Sequence, residues 1–227
     1  KVVEDNLAKK SFVKYKDPEI IKISEPKKVT NNYLEEEMNV TYPKVKYSLK
    51  IPVNKFKNIS TLDLKMAINL LMNINFGATS DFRSDLLLKG LISSMGYSVD
   101  IYEEYVVITL TYSTNYYEEI IKLTKEKLDN LDVNDNDVVR KRNATVATLI
   151  LDYEDVEQVN LKIQDDIINE GKIIVDMKRR VANINKEVTS RNLRERLFKE
   201  VLTNVLKYIG NDNAAITVFK PKENQES

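Results

Sequence analysis

The chain has 227 residues, 42% apolar and 31% charged, which is enough for one substantial core. Its 35 basic residues balance 35 acidic ones, leaving no global field to draw in nucleic acid or an anionic membrane. It contains no cysteine and no histidine, which excludes disulfides, thiolate nucleophiles, Ser-His-Asp and Cys-His catalysis, and the usual catalytic zinc sites.

Residues 1–44 read as a tail and linker, a strap laid against something rather than a folded unit. They hold three of the five prolines (Pro18, Pro26, Pro43) and no glycine. Short extended pieces are expected at Phe12–Tyr15 and Ile20–Ile23, and Glu35–Glu37 reads as a solvated linker run. The chain opens at Lys1 without a methionine or a signal peptide, so an upstream part and a cytoplasmic location are expected.

The folded unit is expected over 45–221, with 222–227 as a tail. Val45, Tyr47, Leu49, Ile51 and Val53 alternate, the period of a half-buried strand. Ser60 with Asp63 resembles a capping box for a helix over Leu62–Phe76, apolar on nearly every face and closed by Gly77. Thr79 or Ser80 then caps a second helix, in which Phe82, Leu86 and Leu91 or Ile92 share a face. Strands at Tyr97–Tyr102 and Tyr105–Ser113 form a hairpin about Glu103 and Glu104.

Asn115 with Glu118 is expected to cap a helix to about Asn130. Helices over Asp135–Asp152 and Glu154–Asn169 follow, the latter ended by Gly171. A short helix at Val175–Asn183, a long one at Ser190–Tyr208 closed by Gly210, and a last strand at Ala214–Phe219 complete the order. Hairpin neighbours with helices in blocks predict an α+β fold with a mainly antiparallel sheet.

No phosphate-binding loop, dinucleotide fingerprint or nucleophile elbow is present. Asp132–Val138 starts like a calcium loop but has Asp137 where glycine belongs and Asn143 where glutamate belongs, so it reads as an interhelical turn. The basic runs Val138–Asn143 and Met177–Arg180 read as solvated helix faces or salt-bridge partners. Glu118 and Glu119 read as acids favoured at a helix N-terminus. Three of five glycines (Gly77, Gly90, Gly96) lie within residues 75–100, marking a region whose backbone shape matters.

That region carries a resemblance. A helix ending in FG, a Ser/Thr turn, a helix closing in LLLKGLI and then GYSVDIYEEYVVITLTY resembles the insulinase/pitrilysin-type metallopeptidases, which include the mitochondrial processing peptidase-like proteins and smaller bacterial members. ISEPKKV with MNVTYPKVKYSLKIP, VVRKRNATVATLILDYEDVEQV, EVTSRNLRERLFKEVL and AAITVFKP resemble other family segments in the same order, over residues 20–221.

The resemblance implies one of two related α+β halves joined by a linker around a chamber. The zinc motif H-x-x-E-H lies on the N-terminal half of active members, so this histidine-free chain resembles the C-terminal half, of the small bacterial type. No catalytic or metal-binding residue is then expected here. Zinc is expected in an N-terminal half supplied by the same polypeptide or by a partner chain, and the substrate is a peptide. Active members bring an arginine and a tyrosine from the C-terminal half. Tyr97 matches the tyrosine; the arginine's place falls on Leu86, Leu87 or Gly90, and Arg83 is the nearest candidate. The implied role is to enclose the chamber and help hold substrate, with Tyr97 and Arg83 as substrate-binding residues. The alternative is a scaffold or partner subunit without hydrolytic activity, and H-x-x-E-H upstream of Lys1 would discriminate the two.

Overall fold

The computed structural model describes residues 2–11, 21, 25–56, 61–131, 133, 135–170 and 213–222. In chain order these form α1 (Val2–Leu7), β1 (Tyr33–Met38), β2 (Lys44–Pro52) with a 3-10 turn at Val53–Lys55, α2 (Thr61–Phe76) and α3 (Asp81–Leu88). Then come β3 (Ser94–Ile101), β4 (Tyr105–Ser113), α4 (Tyr117–Asp129), α5 (Asp135–Asp152), α6 (Val156–Glu170) and β5 (Ala214–Pro221).

The strands form one sheet in the order β1-β5-β2-β4-β3. Every junction is antiparallel except β1–β5, which is parallel. The fold is therefore α+β with a mainly antiparallel sheet, as the block arrangement of the sequence predicts. β4 follows β3 through the three-residue turn 102–104, closed by Tyr102 N donating to Tyr105 O at 2.8 Å.

Period-two alternation gives the sheet two unlike faces. Val45, Tyr47, Leu49 and Ile51 of β2 pair with Tyr112, Leu110, Ile108 and Val106 of β4, and all eight are buried. Met95 and Val99 of β3 and Val218 of β5 extend that layer. Leu64, Ile68, Leu71, Met72 and Phe76 of α2, with Ile120 and Leu128 of α4, pack onto it. Burying such a side chain contributes on the order of 1.5–3 kcal/mol, so this cluster dominates the domain's stability. A polar tie crosses it where Thr124 donates to the Tyr112 hydroxyl at 2.9 Å. The opposite face carries Lys44 and Lys46 from β2 and Ser94, Gly96, Ser98 and Asp100 from β3, all exposed.

The structure departs from the sequence reading at several places. Glu35–Glu37 is not a linker run but the middle of β1, whose register sets Glu35 beside Val218 and Glu37 beside Lys220. Lys220 makes a 2.6 Å ion pair with Glu35 and stands 4.9 Å over the Tyr117 ring, which offsets the poor strand propensity of three consecutive acids. β3 begins at Ser94 rather than Tyr97, and α6 starts at Val156 rather than Glu154.

The cap expected from Asn115 does not form: the N-cap of α4 is Tyr116, without a side-chain cap bond, and the turn into it is held by Thr114. Its hydroxyl accepts from Tyr116 N at 2.8 Å and donates to Leu91 O at 2.6 Å. That oxygen, three residues ahead of α4, satisfies a backbone donor where the chain leaves β4. The extended pieces expected at 12–15 and 20–23, the Ser60 cap, the helices expected at 175–183 and 190–208, and Gly171 and Gly210 lie outside the described residues, apart from Ile21.

Candidate functional site

The corner between α2 and α3 is built by backbone constraints. Gly77 N donates to Asn73 O at 3.0 Å. A Cβ on Gly77 would lie 2.3 Å from Asn73 O and 2.4 Å from Asn73 Oδ1, so only glycine lets the chain pass this close. Ser80 then turns the chain into α3, accepting from Arg83 N at 3.3 Å while its hydroxyl donates to Gly77 O at 2.9 Å. Phe76 and Phe82 meet edge to face across the corner, centroids 5.4 Å apart.

α3 stops in a Schellman motif. Gly90 takes φ 66°, Leu91 N reaches back to Leu86 O at 2.9 Å and Gly90 N to Leu87 O at 3.0 Å. Two of the three clustered glycines thus have a geometric reason. The third does not: nothing lies within 4 Å of a Cβ placed on Gly96, which sits exposed on β3.

A residue that the sequence reading assigned to a solvated face completes the corner. Lys141 of α5 is buried, and its Nζ donates to Asn73 Oδ1 and to Thr79 Oγ1, each at 2.8 Å. Burial pulls its pKa below the ordinary lysine value, Arg140 adds to that, and Asp137 opposes it. The signal available in the sequence was spacing: Lys141 lies three residues after the half-buried Val138, on the same helical face.

Tyr97 and Arg83 lie on elements that flank α2. Tyr97, half-buried on β3, shares its face with Met95 and Val99, and its hydroxyl donates to Asn69 O of α2 at 3.3 Å. Burial raises its pKa. Arg83 sits half-buried in the first turn of α3. Among the described residues no hydrogen bond joins the two. Tyr97 thus faces the helical layer, on the side of the sheet away from Ser98 and Asp100.

Among the described residues no group of three or more carboxylates is placed to hold a metal ion, and no helix is long and apolar enough to cross a membrane. The titratable cluster at the β1 edge is Tyr33, Glu35 and Lys220. Tyr33 donates to Glu35, and burial followed by that bond pushes the Tyr33 phenol up to about 12. Lys220 first and Tyr33 second hold the Glu35 carboxyl below its ordinary range, and Glu35 in turn raises Lys220. These groups fasten an edge strand.

No family model and no curated protein matches the sequence. Solved structures do match. An M16-like peptidase from Alicyclobacillus acidocaldarius superposes with a TM-score of 0.71 at 16% identity, covering 97% of this chain and 51% of that one. The fold is that of half an M16-like peptidase. A protein from Yersinia pestis classed as an insulinase family protease gives a TM-score of 0.60 at 11% identity, over 100% of this chain and 50% of that one. The inactive peptidase domain of a protein classed as a zinc protease from Bordetella parapertussis gives 0.59 at 12%, covering 85% of this chain and 97% of that domain. The chain spans about half the length of the first two structures and nearly the whole of the inactive domain. At these identities the likeness is one of fold.

Proposed function

We propose that this chain is the non-catalytic C-terminal half of a zinc-dependent endopeptidase of the small bacterial insulinase type. The observation that carries the reading is the match in fold to half of peptidase-like structures, and to an inactive peptidase domain, by a sequence with no histidine. A metal-activated water and its glutamate base would come from an N-terminal half, on the same polypeptide or a partner chain. This half would close the chamber, exclude bulk water and help hold an extended peptide. Residues ahead of the β1 strand would serve as the strap between halves, and the assembly would work in the cytoplasm.

Tyr97 and Arg83 are the candidates for substrate contact on the strength of the family resemblance. Tyr97 would have to exchange its Asn69 acceptor for a substrate group, so Tyr97→Phe should change KM more than the folded stability. A test of the role itself is complementation. The zinc-bearing half, prepared alone, should cleave an unfolded peptide poorly and regain activity when this chain is added. Full activity without this chain would remove the enclosing role.

A further inference from the structure

Glu25 and Pro26 lie well ahead of β1, yet the sheet holds both. Lys50 Nζ is 2.6 Å from Glu25 Oε2 and donates to Pro26 O at 3.1 Å. The same ammonium stands 4.0 Å from the centroid of the Tyr105 ring, and the Tyr105 hydroxyl donates to Glu25 O at 3.3 Å. β2 and β4 make this pair: Lys50 lies opposite Val107 and Pro52 opposite Tyr105, so Lys50 and Tyr105 are diagonal neighbours on one face. The Lys50 side chain is 17% exposed and the Glu25 side chain 62%, a sheltered cation meeting a wet carboxylate.

At its other end the segment is fixed again, by Ile216 N donating to Asn32 O at 3.0 Å where β1 joins β5. Residues 27–32 are therefore a loop tied at both ends, by two unlike devices. The β1 end is a backbone ladder along Tyr33–Met38. The other end is three polar contacts made by the Lys50 and Tyr105 side chains, which a cation–π contact holds to each other. An ion pair with one partner mostly in water is weak and screened by salt, whereas ladder bonds are not.

We propose that Lys50 and Tyr105 form a latch that holds the chain at Glu25–Pro26 against the end of the sheet and opens while β1 stays paired. Closed, the latch fixes Glu25 and Pro26 at the end of the sheet; open, it frees residues 25–32 up to the β1 ladder. It rests on contacts within this chain and stands whether or not the chain serves a peptidase.

Limited trypsin digestion of the intact 227-residue chain tests it. Lys27 and Lys28, exposed just after the latch, report opening; Lys9 and Lys10, exposed upstream, are the internal reference. Losing one or two of these contacts should raise the ratio of cleavage after Lys27/Lys28 to cleavage after Lys9/Lys10 by about 3- to 10-fold in Tyr105→Phe and in Lys50→Met. In the unaltered chain the ratio should rise between about 50 mM and about 500 mM salt, and in Lys50→Met it should stay flat. Tyr105→Phe keeps the buried ring, so it decides the matter with the salt series if Lys50→Met disturbs the sheet. An unchanged ratio in Tyr105→Phe together with no salt response would overturn the latch.

Discussion

Lys141 Nζ and Asn73 Oδ1, 68 residues apart in sequence, meet at 2.8 Å and dock α5 on the end of α2. Asn73 can present that oxygen because Gly77 has no side chain: a Cβ there would sit 2.4 Å from it. A glycine, an amide and a lysine thus form one chain of dependence, which ties the backbone turn after α2 to the placement of the next helix pair.

Replacing Lys141 by methionine removes a buried charge while keeping its bulk, and Asn73 and Thr79 can turn to water. Its stability should stay within about 1 kcal/mol of the unaltered chain, or rise. Lys141→Ala leaves a void and should cost about 1–3 kcal/mol. Urea unfolding of the two variants checks this; equal losses would mean that the charge itself holds α5.

Gly77→Ala should destabilise by roughly 1–3 kcal/mol because Asn73 must move. The loss should shrink in a Lys141→Met background, since the displaced amide then has less to hold. A double-mutant cycle reads that coupling directly, and strict additivity would separate the glycine from the lysine.

Lys141 also gives a pH dependence of known sign. Its pKa in the folded chain is lowered from 10.5, so between the folded value and 10.5 the unfolded chain binds the extra proton. Its contribution to stability is therefore full above 10.5 and is lost as pH falls through the folded value. The phenols of the buried Tyr47 and Tyr112 and of the half-buried Tyr97 are raised by burial and act in the opposite sense, losing their contribution as pH rises past 10. Comparing unfolding at pH 8 and pH 10 in Lys141→Met and the unaltered chain isolates the lysine. The unaltered chain should gain on the variant at the higher pH.

At the sheet edge, the Glu35 carboxyl is held below 4.5 by Lys220 and Tyr33. Its support for β1 is present above that ordinary value and is lost as pH falls through the lower folded one. Amide protection factors in Tyr33–Met38, corrected for the intrinsic rate at each pH, should therefore fall at acid pH before those of β2 or β4, and Glu35→Gln should show the lowered protection already at pH 6.

The core strands were legible because each obeys one local rule: Val45 to Ile51 and Val106 to Tyr112 alternate, and the β3–β4 hairpin is closed by a short turn. β1 was not, because YLEEEM has no such pattern. It becomes a strand only through β5, which lies more than 170 residues later. Lys141 was hidden in a basic run in which Arg140 and Asn143 are exposed, and the turn at Thr114 was hidden beside an asparagine that looked like a cap. The family resemblance led to Tyr97, but only the fold shows its hydroxyl engaged with Asn69 on the helical side. For β1, Lys141 and Tyr97 the deciding partner was distant in sequence.

As proposed, this domain covers a peptidase site that another half supplies. The direct measurement is zinc stoichiometry with peptide cleavage on the polypeptide in which the chain naturally occurs, using this chain alone as control. The whole should hold about one tightly bound zinc and show chelator-sensitive cleavage, and this chain should do neither. Zinc-dependent cleavage by this chain alone, or a whole protein that binds no zinc and cleaves nothing, would contradict it.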